Sequence, residues 1–320
     1  MSPKAKVFVT TGTGHQGSAV ALQLSALNYE VHTNTRSTSS PTAQLLSKQG
    51  VILHQGSWDD ISMLTSALKG CTRLFLNLMP DSSDNTKEVS WAQTILSLAV
   101  DAGVQHVIYS SVFNLNDASE LPPSITGVDR ETHFSTHIRD AKAKIDDMVR
   151  EAKFKTWTIV RPGYFMANLI LPKVTSFYPG AAETGVYTFG YLGGKDEVLA
   201  MVDHEDIGRV AVKIFSEPEK FHKADFKIVS QLLRLEEAVA QLAKAAEKKI
   251  TARYLTGEEV NKAKEENPML LLNILASGMA KKVDMNELRR VGIDFETATF
   301  EQFLKRDKAE VDATFQGLAE

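Results

Sequence analysis

The chain has 320 residues, 43% hydrophobic and 24% charged, with a formal net charge of −4, the balance of a globular protein long enough to bury a sizeable core. The slight acidic excess argues against a nucleic-acid partner, which favours a basic face, and the single cysteine, Cys71, rules out an intramolecular disulfide and fits a reducing compartment. No signal peptide is expected, a cytoplasmic location is, and the longest apolar stretch, Pro268 to Ala280, falls short of the roughly 20 residues that span a bilayer.

Short β-branched runs alternate with helical patterns over the first 160 or so residues. Strands are expected at Val7 to Val9, Val31 to Thr35, Val51 to Leu53, Arg73 to Leu78, Val107 to Ser110 and Trp157 to Val160. Helices are expected between them: Ser18 to Leu27, Thr42 to Gln49, Ile61 to Leu68, Glu88 to Ala102 and Ala141 to Ala152. This alternation means right-handed crossovers and a parallel sheet covered on both faces. After Arg161-Pro162-Gly163 the pattern changes. Residues 163–200 are rich in Gly, Tyr and Phe, and residues 235–320 read as charged helices. Phe226 to Val229 offers a seventh strand for the first sheet. The expectation is an α/β fold: residues 1–162 form a doubly wound domain, completed by about residues 200–230, and residues 163–320 form a smaller, mainly helical substrate or partner part.

The strongest local signal is Val7-Phe8-Val9-Thr10-Thr11-Gly12-Thr13-Gly14-His15-Gln16-Gly17, between the first strand and the first helix. Glycines there let the backbone turn tightly against a pyrophosphate, which sits on the free N–H groups of the helix. This is the Rossmann-type dinucleotide site. An acid at the end of the second strand would bond the ribose 2′-hydroxyl of NAD, but residues 33–40 contain none. Arg36 can instead pair with a 2′-phosphate, with Ser37, Thr38 and Ser39 adding donors, so NADP(H) is the expected cofactor.

Over nearly its whole length the chain resembles the NmrA-like family of atypical short-chain dehydrogenases, which includes the HSCARG-type redox sensors, and it is similar to the isoflavone-reductase-like enzymes. The resemblance rests on TTGTGHQG, TRSTSS, VIYSS, HFSTHIRDAKAKIDDMV, IVRPGYFMANL and MVDHEDIGRV. It implies that Thr11, Gly12, Thr13, Gly14, His15, Gln16 and Gly17 cradle the pyrophosphate and that Arg36 takes the 2′-phosphate. It also implies that Ser57 and Trp58 flank the adenine, that Asn77, Leu78 and Met79 line the cofactor, and that Lys142 bonds the nicotinamide ribose. Gly163, Tyr164, Phe165 and Met166 would lie near the nicotinamide. The loop departs from the family's TGATGxxG, with Thr11 where glycine is usual and Gly12 where alanine is usual, and Ser57 stands where the family usually has aspartate.

Ordinary short-chain dehydrogenases use Tyr-x-x-x-Lys, the tyrosine giving a proton to the carbonyl. Here Ile138 stands four residues before Lys142. Two readings follow. In the first, the protein is an NADPH-dependent reductase of a small aromatic or cyclic substrate (C=O, C=N or C=C) in small-molecule metabolism. Lys142, His133, Tyr164 or a water supplies the proton, and Ser110 or Ser111 orients the substrate. Tyr164, Phe165, Phe177, Tyr178, Tyr187, Phe189 and Tyr191 would then line an apolar concavity. In the second, the protein is a non-catalytic NADP(H) sensor acting through a regulatory protein partner. Monomer and homodimer are both compatible with the chain. His133 and His137 share a helical face but lack a third ligand, so no metal is expected. The acidic segment His204-Glu205-Asp206 is expected to fix the return of the chain to the sheet.

Overall fold

The computed structural model describes residues 5–81, 84, 86–113, 134–267 and 269–318. The first half runs β1 (Lys6–Val9), α1 (His15–Ala26), β2 (Glu30–Thr35), α2 (Pro41–Lys48), β3 (Ile52–Gln55), α3 (Ile61–Leu68), β4 (Arg73–Leu76), α4 (Lys87–Asp101), β5 (His106–Ser110), α5 (Phe134–Glu151) and β6 (Thr156–Pro162). Each strand from β1 to β5 is followed by a helix, so the next strand enters parallel.

The second half continues with β7 (Tyr164–Phe165), α6 (Val174–Phe177), α7 (Ala181–Thr184), β8 (Val186–Phe189), β9 (Val198–Val202), α8 (His204–Ser216), β10 (Ala224–Ile228) and β11 (Gln231–Arg234). It ends with α9 (Leu235–Ala246), β12 (Thr251–Tyr254), α10 (Gly257–Glu266), α11 (Met269–Leu275), α12 (Glu287–Arg290), α13 (Phe300–Arg306) and α14 (Lys308–Phe315). The main sheet has the order β3-β2-β1-β4-β5-β6-β10 and is parallel throughout. It is the doubly wound α/β sheet expected of the sequence, and Phe226 lies in its seventh strand, opposite Val160.

Alternation along each strand divides the core. Val7, Val9, Val31 and Phe75 face α1, α2 and α8, whereas Phe8, Leu74, Leu76 and Tyr109 face α3, α4 and α5. A side chain at Gly208 would meet the Gln23 amide at 2.5 Å and the Ala19 carbonyl at 3.1 Å, so glycine there lets α8 cross α1 closely.

The second lobe carries more strand than its composition suggests: the sheets β11-β9-β7 and β12-β8 join helices α9, α13 and α14 around a separate core. Helix α5 also begins earlier than its apolar pattern announces, at Phe134 rather than near Ala141. Its first turns read Phe-Ser-Thr-His-Ile-Arg-Asp, with only Phe134 and Ile138 apolar, too few to display a helical stripe. No helix of the described residues is long and apolar enough to cross a membrane. In the stretch near residue 270, Leu270, Ile274 and Met279 are buried.

Candidate dinucleotide site

The sheet's strand order reverses beside β1, and the loop leaving β1 enters α1 at this switch point, where open α/β sheets bind ligands. Helix α1 has Gly14 at its N-cap with no side-chain cap, so its first amides keep their donors free of a capping oxygen. The glycines of the loop are required for different reasons. A Cβ at Gly12 would stand 2.0 Å from Thr33 Oγ1, and one at Gly17 would stand 2.2 Å from the Thr11 carbonyl. A Cβ at Gly14 would touch only Thr11, at 3.2 Å or more, so protein packing does not demand that glycine; its missing side chain bares the helix end. Thr11 itself takes the left-handed backbone (φ 56°) where the family usually has glycine. That conformation costs a non-glycine residue roughly 1–2 kcal/mol, and the Thr11 hydroxyl offsets it by donating to the Asn77 carbonyl at 2.5 Å. Thr10 donates to the same carbonyl at 2.8 Å and accepts from the Asn77 amide at 2.7 Å. The loop is thereby tied to the residues that follow β4.

Arg36 is exposed at the end of β2, and among the described residues its guanidinium has no carboxylate partner. Ser37 and Ser39 hydroxyls lie 2.9 Å apart beside it. Ser57 is exposed and accepts from the Asp59 amide at 3.3 Å, while Trp58 meets Trp91 edge-on at 5.0 Å. The buried polar atoms Gln16 Nε2, Asn34 Oδ1 and Trp58 Nε1 have no hydrogen-bond partner among the described residues. Such unsatisfied groups are uncommon in a finished interior and fit a site that a polar ligand completes. The bared helix end, the guanidinium and these atoms together fit a phosphorylated dinucleotide.

Leu78 is buried and Met79 is 46% exposed, so of the two only Met79 offers its side chain freely. Lys142 is 6% exposed, ion-paired to Glu88 at 2.6 Å, and donates to the Leu78 carbonyl at 2.9 Å. Glu88 was not legible as a site residue: it stands at the start of α4 and meets Lys142 of α5 only because the two helices pack side by side. Gly163 has a packing role, since a Cβ there would lie 2.2 Å from the Ala200 carbonyl. Phe165 is half-buried and packs against the core that includes α8, and Met166 is fully buried in the second lobe.

The proposed proton donors are differently placed. His133 lies outside the described residues. Ser110 is buried at the end of β5, and Ser111 accepts from Arg161 at 3.3 Å. Tyr164 shares a 2.7 Å hydrogen bond with Tyr178, and burial raises its hydroxyl well above the usual phenol range, which makes it a poor acid. Tyr178, Tyr187, Phe189 and Tyr191 do not line an open concavity. They are 0–3% exposed and form the centre of the second core, so their aromatic density reflects packing. The acidic segment does secure the chain's return: Asp206 accepts from the Ser230 hydroxyl at 2.6 Å and the Ala298 amide at 2.9 Å.

A model of the NmrA-like family matches residues 3–303. The NmrA-like family domain-containing oxidoreductase himF of Aspergillus japonicus is 27% identical over 242 residues, covering 71% of this chain and 69% of its own. In fold, NmrA, a negative transcriptional regulator solved in complex with NAD, superposes with a TM-score of 0.69 at 17% identity, covering 100% of this chain and 99% of that one. The Citrobacter triphenylmethane reductase solved with NADP(H) gives a TM-score of 0.68 at 17% identity over 94% of this chain and 99% of that one.

Proposed function

Because the chain belongs to the NmrA-like family, we propose that it is an NADP(H)-dependent oxidoreductase that reduces a small C=O, C=N or C=C substrate. The observation that carries this reading is the pairing of an α1 N-terminus that has no side-chain cap with the Arg36 guanidinium, which has no carboxylate partner among the described residues. One supports a pyrophosphate, the other a 2′-phosphate. The naming of himF as an oxidoreductase and the NADP(H) complex of the triphenylmethane reductase favour the same chemistry. The bound nicotinamide would supply a hydride. The chain's own part is to hold the dinucleotide at the Thr11–Gly17 loop and Arg36, to present Lys142 to the nicotinamide ribose, and to position the substrate near Ser110. With Ile138 in the usual tyrosine place and the buried Tyr164 hydroxyl a poor acid, Lys142, His133 or a water is left to supply the proton, and Ser110 or Ser111 to orient the substrate.

That isoleucine also favours a second reading, an NADP(H)-responsive regulator without turnover; NmrA, a regulator, shares the fold over the full chain. Calorimetric titration with NADPH and NADH tests the common premise: NADPH should bind at least tenfold more tightly, and equal affinity or no heat would overturn it. Single-turnover oxidation of bound NADPH by quinones, aryl ketones, imines and azo compounds separates the two readings.

A further inference from the structure

Lys142 has three N–H groups. Among the described residues the ammonium has two polar contacts, an ion pair with Glu88 Oε1 at 2.6 Å and a hydrogen bond donated to the Leu78 carbonyl at 2.9 Å. Three donors against two contacts leave an N–H for a further acceptor. Lysine and glutamate are buried almost completely, with side-chain exposures of 8% and 2%. A buried pair like this gives little net stability, because desolvation consumes most of the attraction. It does fix where the ammonium stands. A free lysine side chain samples many rotamers, and holding one costs conformational entropy; here that ordering is complete before any ligand arrives.

The supports of the pair come from four elements. Glu88 is in the first turn of α4, Lys142 in the middle of α5, the Leu78 carbonyl follows β4, and the Tyr109 ring of β5 faces the ammonium from 5.8 Å. One helical turn beyond Lys142, Asp146 accepts from Arg161 at 2.7 Å, and Arg161 also grips Asp225 at the end of the sheet. Helix α5 is therefore anchored to β6 and β10 just below the lysine. The carbonyl that Lys142 grips follows directly on Asn77, whose own carbonyl holds the phosphate loop through Thr10 and Thr11.

We infer that Glu88 is a positioning residue for the dinucleotide: its carboxylate clamps the Lys142 ammonium so that one N–H stays available to the hydroxyls of the nicotinamide ribose. This rests on the reading of the site as one for NADP(H). The effect is local to the nicotinamide half. The adenosine half, held by Arg36 and the amino end of α1, is outside the reach of the clamp.

The test compares two ligands, NADPH and adenosine 2′,5′-bisphosphate, which carries the adenosine end without the nicotinamide ribose. Kd is measured by calorimetry for the wild type, Glu88→Gln, Lys142→Met and the double variant. Glu88→Gln should raise the Kd for NADPH about tenfold, in line with a charge-assisted hydrogen bond, and leave that for adenosine 2′,5′-bisphosphate unchanged. In the Lys142→Met background it should add no further loss. Equal weakening of both ligands, an unchanged NADPH Kd, or a loss of the same size without Lys142 would each overturn the inference. Should Glu88→Gln be too unstable to titrate, Lys142→Met and the double variant decide, since removing both charges leaves neither buried alone; equal Kd values support the clamp and unequal ones overturn it. Failure of the wild type to bind either ligand would instead defeat the NADP(H) reading itself.

Discussion

The imidazoles of His15 and His204 lie 5.3 Å apart, tilted by 51°, one at the first residue of α1 and the other at the first residue of α8. The Phe303 ring of α13 meets His204 at right angles, 6.1 Å away. The beginning of α1, the acidic return segment and helix α13 thus converge on two rings.

That convergence sets an acid limit. Burial lowers both histidines, His204 to about 4. In the unfolded chain both titrate near 6.5, so between the two values the unfolded state binds more protons. The stabilisation is complete above pH 6.5 and is lost as pH falls toward 4; for His204 it is on the order of 3 kcal/mol. Urea midpoints at pH 7.5, 6 and 5 should fall steadily for the wild type and less for His204→Gln. Parallel curves for the two proteins would show that His204 is not the titrating group.

Arg36→Ala should raise the Kd for NADPH by about 10- to 100-fold, the usual worth of charge-assisted bonds to a phosphate, and leave NADH nearly unaffected. Fluorescence titration of the reduced cofactors reads both.

Gly17→Ala places a methyl 2.2 Å from the Thr11 carbonyl. Backbone on both sides leaves no flexible side chain to yield, so the loop must shift. Overpacking of this kind costs typically about 1–3 kcal/mol. The expected outcome is a lowered Tm together with a larger loss of NADPH affinity than stability alone explains. Gly14→Ala, which meets only the Thr11 methyl and carbonyl at 3.2 and 3.4 Å, should keep the Tm near wild type and weaken NADPH selectively.

Arg306 of α13 grips Asp203 with Nη1–Oδ2 at 2.6 Å and Nη2–Oδ1 at 3.1 Å, and Asp203 is fully buried. Arg306→Met removes the charge that answers that carboxylate and leaves it the Glu205 amide, which donates to Oδ1 at 3.0 Å. Breaking fully buried pairs costs about 3–5 kcal/mol; with the Arg306 side chain 37% exposed, about 2–3 kcal/mol is expected in chemical denaturation. Asp203→Asn in the same background should recover part of the loss.

Cys71 is buried, and burial pushes its thiol up to about 12. Reactivity needs thiolate and access, so native protein should resist alkylation by iodoacetamide and react only with denaturant present. Rapid labelling of the folded protein would contradict this placement.

What the linear chain settled by itself is whatever depends on neighbours in sequence. The alternation of β-branched runs and amphipathic helices dictates a parallel sheet, because each crossover helix returns the chain in the same direction. The glycine-bearing loop after the first strand and the cation at Arg36 are likewise local, since a helix end and a strand end are made by consecutive residues. Tertiary structure decided the rest. Glu88 becomes a partner of Lys142 only when α4 packs beside α5, and His15 meets His204 only when α8 crosses α1 at Gly208. The aromatic run from Tyr164 to Tyr191 reads equally as pocket wall or core. Burial alone resolves it, because a ring's composition is the same in either place and only the surface it loses to its neighbours differs.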